Sequence, residues 1–159
     1  MINYSFIIRR AEKEDAAAIH NILLRSFEAY KVSAQITGPL EAMEESIESI
    51  EKDIADKYVF IALMDNVPVG TVRVSTLDSD TALLSRLGVI PCQQNIGIGK
   101  SLMNLVDKVA LEKKYTRIHL YTGTKNSGLI RFYYSRGFYV DSTSKDRGYV
   151  RALLIKEYK

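Results

Sequence analysis

The chain has 159 residues, with 22 Lys and Arg against 19 Asp and Glu, 47% hydrophobic residues and a formal net charge of +3. That length predicts a single domain over 1–159 with a proper core, and the balance of charged and apolar residues excludes a disordered segment. The basic excess is scattered among acids rather than gathered in a stripe, which excludes an ordinary nucleic-acid binder. One cysteine, Cys92, excludes an intramolecular disulfide framework and a cysteine zinc site, and His20 and His119 give no ligand spacing, so no metal is expected. No apolar run approaches the ~20 residues of a membrane span, and the start MINYSFIIRR has no secretory pattern, so a cytoplasmic protein without a membrane partner is expected.

Tyr4 to Arg10 reads as a first strand. Ala16, Ile19, Leu23 and Phe27 then recur at the spacing of one helix face, after acids at Glu12, Glu14 and Asp15 that suit a helix N-terminus. Pro39 opens a second predicted helix with an apolar stripe of Leu40, Met43, Ile47, Ile50 and Ile54. Its other side carries Glu41, Glu44, Glu45, Glu48 and Glu51, read as a solvated face with a secondary use in attracting a cationic acceptor. Tyr58–Met64 and Val67–Val74 are strands joined by Asp65-Asn66, a two-residue hairpin turn, and Ala82–Ile90 continues the antiparallel meander. Helix Gly99–Lys114 and strand Arg117–Tyr121 imply a parallel crossover. Helix Ser127–Arg136 ends at Gly137, and the strands Phe138–Val140 and Tyr149–Ile155 close the chain. The fold class is α/β (α+β): a mixed, mostly antiparallel central sheet flanked by about four helices.

The stretch from Leu87 to Met103 joins a strand, a turn at Pro91, a loop with Gly97 and Gly99, and a helix start. A helix N-terminus offers unpaired N–H groups to a phosphate, and glycines let a ligand approach the backbone. A triphosphate-binding loop ending in Gly99-Lys100-Ser101 needs a first glycine where Gln94 stands, and a dinucleotide fingerprint needs a third where Leu102 stands. What fits is Gln-x-x-Gly-x-Gly, Gln94-Asn95-Ile96-Gly97-Ile98-Gly99, after the phrase Arg86-Leu87-Gly88-Val89-Ile90-Pro91. Further on, Asn126 precedes Tyr133 by seven residues, and Gly137-Phe138 follows. The two motifs and the element order resemble the GCN5-related N-acetyltransferase superfamily over essentially the whole chain.

The resemblance implies acetyl-CoA as cosubstrate and transfer of its acetyl group to a primary amine of a small molecule or peptide by direct attack in a ternary complex. The alternative is an acyl-CoA-binding sensing module with little or no catalysis. By the same resemblance, Gln94, Asn95, Ile96, Gly97, Ile98, Gly99, Lys100 and Ser101 bind the pyrophosphate, Leu87, Gly88 and Val89 border a gap for pantetheine, and Asn126 bonds the cofactor's amide arm. The Val89 N–H faces the thioester oxygen, and Tyr133 is the general acid; the neighbouring Tyr134 fits the spacing to Gly137-Phe138 less well. The strands before and after the loop carry no carboxylate, so the base is Glu28, a water chain, or no residue if the amine's pKa is lowered. Asn126 also reads as a plain helix cap, and the tyrosines Tyr121, Tyr133, Tyr134, Tyr139 and Tyr149 as an aromatic cleft or ordinary packing. The acceptor pocket is expected from Phe27 to Pro39 and from Asp141 to Gly148, and a homodimer is a further expectation.

Overall fold

The computed structural model describes residues 5–93 and 96–158. Phe6–Arg10 is β1 and Ala16–Ser33 is α1, which runs beyond the Phe27 at which the apolar face was expected to end. Its entry is fixed by Asp15, whose carboxylate accepts hydrogen bonds from the Arg9 guanidinium at 2.7 and 2.9 Å and from the Glu12 N–H at 2.7 Å. The Arg9 pairing holds the Asp15 carboxyl below the usual carboxylate range.

The single helix expected after Pro39 is two helices, α2 at Glu41–Glu44 and α3 at Ile47–Asp56. Glu45 between them is extended, with φ −65° and ψ 137°, and Ser46 restarts the helix by accepting the Ser49 N–H at 3.0 Å. A serine hydroxyl competes well for the first amides of a helix, so the stripe is interrupted where a cap is available.

Tyr58–Met64 (β2) and Val67–Thr76 (β3) form the expected hairpin. Asp65 and Asn66 both take positive φ, 50° and 67°, as a turn matching the strand twist requires. Thr81–Val89 (β4), Ile98–Glu112 (α4), Arg117–Gly123 (β5), Ser127–Ser135 (α5), Tyr139–Ser144 (β6) and Arg151–Glu157 (β7) complete the chain. The sheet order is β1-β2-β3-β4-β5-β7-β6, antiparallel throughout except for β4 beside β5.

Helices cover both faces of this sheet. A Cβ at Gly88 of β4 would meet Ser26 and Phe27 of α1, whereas one at Gly70 of β3 would meet Ile98 and Leu102 of α4. Between these layers Ile19, Ile61, Leu102, Val106 and Leu154 are fully buried, each such side chain contributing about 1.5–3 kcal/mol. A second, smaller cluster of Ala34, Ile36 and Leu40 packs with Tyr30, Met43 and Tyr149. It fastens the segment between α1 and α2 against the β6–β7 end of the sheet. No helix among the described residues is long and apolar enough to cross a membrane.

Candidate active site

Strands β4 and β5 pair only at their beginnings, Thr81–Leu83 beside Arg117–His119. On its other edge β4 stays with β3, but the register slips from Arg73↔Ser85 to Thr71↔Gly88, and Arg86 in the slip has φ 55°. The extra residue is a bulge, which bends the strand away from β5. A cleft of about 1400 Å³ follows the opening, large enough for a cofactor-sized ligand. Helix α1 straddles the split. Ser26 lies against Gly88 on β4, and four residues later the Tyr30 hydroxyl accepts the Gly123 N–H of β5 at 2.6 Å.

One wall is the loop side: Leu87, Gly88 and Val89 of β4, Gln93, and the start of α4 at Gly97, Gly99 and Lys100 all border the cleft. Gly97 caps α4 with φ 92°, a conformation that favours glycine. The Ser101 N–H bonds back to the Gly97 carbonyl at 3.0 Å, so the amides of Ile98, Gly99 and Lys100 precede the first closed turn. Three amides at the positive end of a 15-residue helix can hold an anionic pyrophosphate. Ser101 and the buried Ile98 do not border the cleft, and Ile96 packs on the core. The side chains of these three residues thus stand back from the cleft, while the Ile98 amide remains at the open first turn of α4. Gln94 and Asn95 lie outside the described residues.

From α5 comes Tyr133, 5% exposed and bordering the cleft, with edge contacts to Phe132 at 5.5 Å and Phe138 at 5.7 Å between ring centres. Burial first, and then Tyr30, push its phenol well above the usual range, so it is held protonated. Tyr134 is 50% exposed and does not border the cleft, nor does Tyr139, whose hydroxyl bonds Glu157 at 2.6 Å. Asn126 borders the cleft while capping α5: its side-chain oxygen accepts the Leu129 N–H and its amide donates to Ser33 Oγ, both at 3.0 Å.

The opposite wall joins distant parts of the chain. Tyr30, Pro39, Glu41 and Glu44 face Arg147, Tyr149 and Arg151 of the β6–β7 end. Glu41 and Arg147 form an ion pair across it, and the Arg151 guanidinium stacks 4.4 Å from the Tyr121 ring centre. Burial pushes the Tyr149 phenol up, and Tyr30 adds to this. Behind the wall, Arg73 is 1% exposed, and its Nη1 donates to Glu45 at 2.7 Å and to Asp53 at 2.8 Å. Glu45 also accepts from Nε of Arg86 at 3.1 Å. One carboxylate thus links a buried arginine, the α2–α3 break and the bulge of β4.

Glu28, the base candidate, is exposed on α1 and does not line the cleft, into which α1 turns Ser26, Phe27, Tyr30 and Ser33. Tyr30 falls within the segment expected to build the pocket, whereas Glu45, read as part of a solvated face, is largely buried between Arg73 and Arg86. Ser26, Arg73, Arg151 and the ion pair of Arg86 were not singled out. Only Arg73 carried a local signal, as a charge at an inward position of a strand.

A family model described as the acetyltransferase (GNAT) family matches residues 16–138. Among solved structures, the PaiA N-acetyltransferase from Thermoplasma acidophilum in complex with coenzyme A is similar at 25% identity and a TM-score of 0.84, over 97% of this chain and 99% of that one. YncA from Salmonella typhimurium, a putative acetyltransferase with its cofactor acetyl-CoA, is 19% identical with a TM-score of 0.77, over 98% of this chain and 95% of that one. A GNAT-family acetyltransferase from Staphylococcus aureus gives 19% identity and a TM-score of 0.79, over 98% of this chain and 100% of that one. Comparison with curated proteins found no match.

Proposed function

Because the chain belongs to the GNAT family of acetyltransferases and takes its acetyl group from acetyl-CoA, we propose that it acetylates a primary amine of a small molecule or peptide by direct attack within a ternary complex. The observation that carries this reading is the opening between β4 and β5 with the buried Tyr133 phenol at its side. The first-turn amides of α4, with Gly97, Gly99 and Lys100, hold the pyrophosphate, and Leu87, Gly88 and Val89 offer a strand edge to the pantetheine arm. The acyl thioester supplies the activated acetyl group. The Val89 N–H polarises the thioester carbonyl, a donor worth roughly 3 kcal/mol in comparable sites.

Tyr133 donates its proton to the sulfur as the carbon–sulfur bond breaks. Burial raises the phenol and so keeps it protonated until the thiolate leaves, and reprotonation of the sulfur draws the thioester bond cleavage to completion. The amine's own proton leaves through water in the cleft, and Glu28 is given no part. Asn126 uses its oxygen for the cap and one amide N–H for Ser33, and, as it lines the cleft, its second N–H serves the cofactor arm.

The test is release of the coenzyme A thiol from acetyl-CoA in the presence of phenethylamine, cadaverine or a glycyl peptide, beside thermal unfolding with acetyl-CoA. Amine-dependent release together with a raised Tm supports transfer. A raised Tm with no release above the amine-free rate would make the chain a binding module instead.

A further inference from the structure

Ser26 lies inside α1 and is 7% exposed, yet its hydroxyl makes no hydrogen bond to any of the described residues. A serine within a helix ordinarily bonds back to the carbonyl four residues earlier, here Ile22, and a buried hydroxyl left alone is costly. Instead the side chain is turned across to β4. A Cβ at Gly88 would stand 2.4 Å from Ser26 Oγ, so only glycine at 88 leaves room for this hydroxyl.

The bulge contributes to the same contact. Arg73↔Ser85 and Thr71↔Gly88 place residues 85 and 88 opposite positions of one parity on β3, which brings Gly88 round to the α1 side. Ser26 and Gly88 both border the cleft, and Val89 is the next residue. Tyr30, one turn on, has its hydroxyl committed to the Gly123 N–H and lies 3.4 Å from Thr122 Oγ1. Ser33, further along α1, donates to the Tyr30 carbonyl and accepts from Asn126, so of the three hydroxyls that α1 brings to the cleft the one beside Gly88 is the one without a partner among the described residues.

We propose that Ser26 contacts the acceptor: its hydroxyl accepts a hydrogen bond from the attacking primary amine and turns the nitrogen lone pair toward the thioester carbon. This rests on the amine-transfer reading above. In the step the nitrogen–carbon bond forms and the carbon–sulfur bond breaks. The sulfur takes the Tyr133 proton, the amine's surplus proton passes to water, and Ser26 ends with the proton it began with. A hydroxyl suits this place because it accepts from an N–H while staying uncharged in a dry pocket. A carboxylate there would bind the unreactive ammonium form more tightly.

Ser26→Ala separates this role from a structural one. Removing a hydroxyl without a partner among the described residues leaves Tm and acetyl-CoA affinity, read by titration calorimetry, unchanged. The same change lowers kcat/KM for phenethylamine by about tenfold to a hundredfold, the effect of one hydrogen bond to a reacting group. It does so without altering the shape of the pH profile, since Ser26 does not titrate. Equal kcat/KM in an active parent and the variant would overturn the role of Ser26 alone, as would a loss accompanied by a lower Tm. A parent inert toward phenethylamine, cadaverine and the glycyl peptide alike would overturn the amine-transfer reading, and the role of Ser26 with it.

Discussion

The loop wall of the cleft comes from residues close together in the chain, Leu87, Gly88, Val89, Gln93, Gly97, Gly99 and Lys100, and includes the open first turn of α4. The opposite wall is stitched from residues far apart, as Glu41 with Arg147 and Tyr30 with Gly123, 106 and 93 positions from each other. Backbone amides at the start of a helix suit a ligand whose polar part is always the same, and a strand edge suits an extended arm. Side chains gathered from α1, α2 and β7 suit a partner that differs from one member of a fold to the next. The bulge at Arg86 belongs to both walls, since it bends β4 away from β5 while its side chain is held by Glu45 at the end of α2.

The largest expected effect breaks the chemistry where the walls meet. Tyr133→Phe lowers turnover by about a hundredfold to ten-thousandfold and leaves acetyl-CoA affinity and Tm unaltered, as steady-state rates and calorimetry will show. A fall in cofactor affinity with turnover preserved would make Tyr133 a packing group of the loop wall. Next comes the shared support. Glu45→Gln leaves the buried Arg73 with Asp53 alone and Arg86 with no carboxylate, and costs about 3 kcal/mol in urea unfolding. It also raises KM for both substrates. A rise for the acceptor alone would detach Glu45 from the bulge.

A third prediction concerns pH. The Tyr133 phenol lies above its usual value of 10.0 because the folded chain disfavours its anion. Below that value the phenol is protonated in both folded and unfolded chains, and its contribution to stability is complete. Above it the unfolded chain ionises first, and stability falls until the folded phenol ionises too. Urea unfolding between about pH 8 and about pH 11 therefore shows a steeper alkaline loss in the parent than in Tyr133→Phe. Identical slopes would mean that the folded chain does not raise this phenol. The smallest effect touches one wall only. Arg147→Ala removes an exposed ion pair with Glu41, costs under about 1 kcal/mol, and shifts KM for the acceptor while leaving that for acetyl-CoA in place.

The same contrast explains what the sequence made legible. Asp65-Asn66, Gly97-x-Gly99 and the Asn126-to-Gly137 phrase are local signals, each tied to a turn, a cap or a helix end, and the elements they mark stand where expected. The break at Glu45 was masked because the apolar stripe from Leu40 to Ile54 reads through it, although Ser46 carried the capping chemistry that restarts the helix. Glu28 was chosen for its charge and its place near the expected end of α1. The helix instead continues to Ser33 and leaves Glu28 exposed. Ser26 has no sequence signature, since what distinguishes it is Gly88, 62 positions later, facing it across the core. Tertiary contacts of this kind build the wall opposite the loop, and residue type alone does not encode them.

The most direct test of direct transfer is an initial-rate study in which acetyl-CoA and phenethylamine are varied together, with the acetylated amine followed by mass spectrometry. Intersecting double-reciprocal lines are predicted, because both substrates occupy the cleft before any bond breaks. Parallel lines would mean that an acetylated protein forms first, and direct attack in a ternary complex would be contradicted.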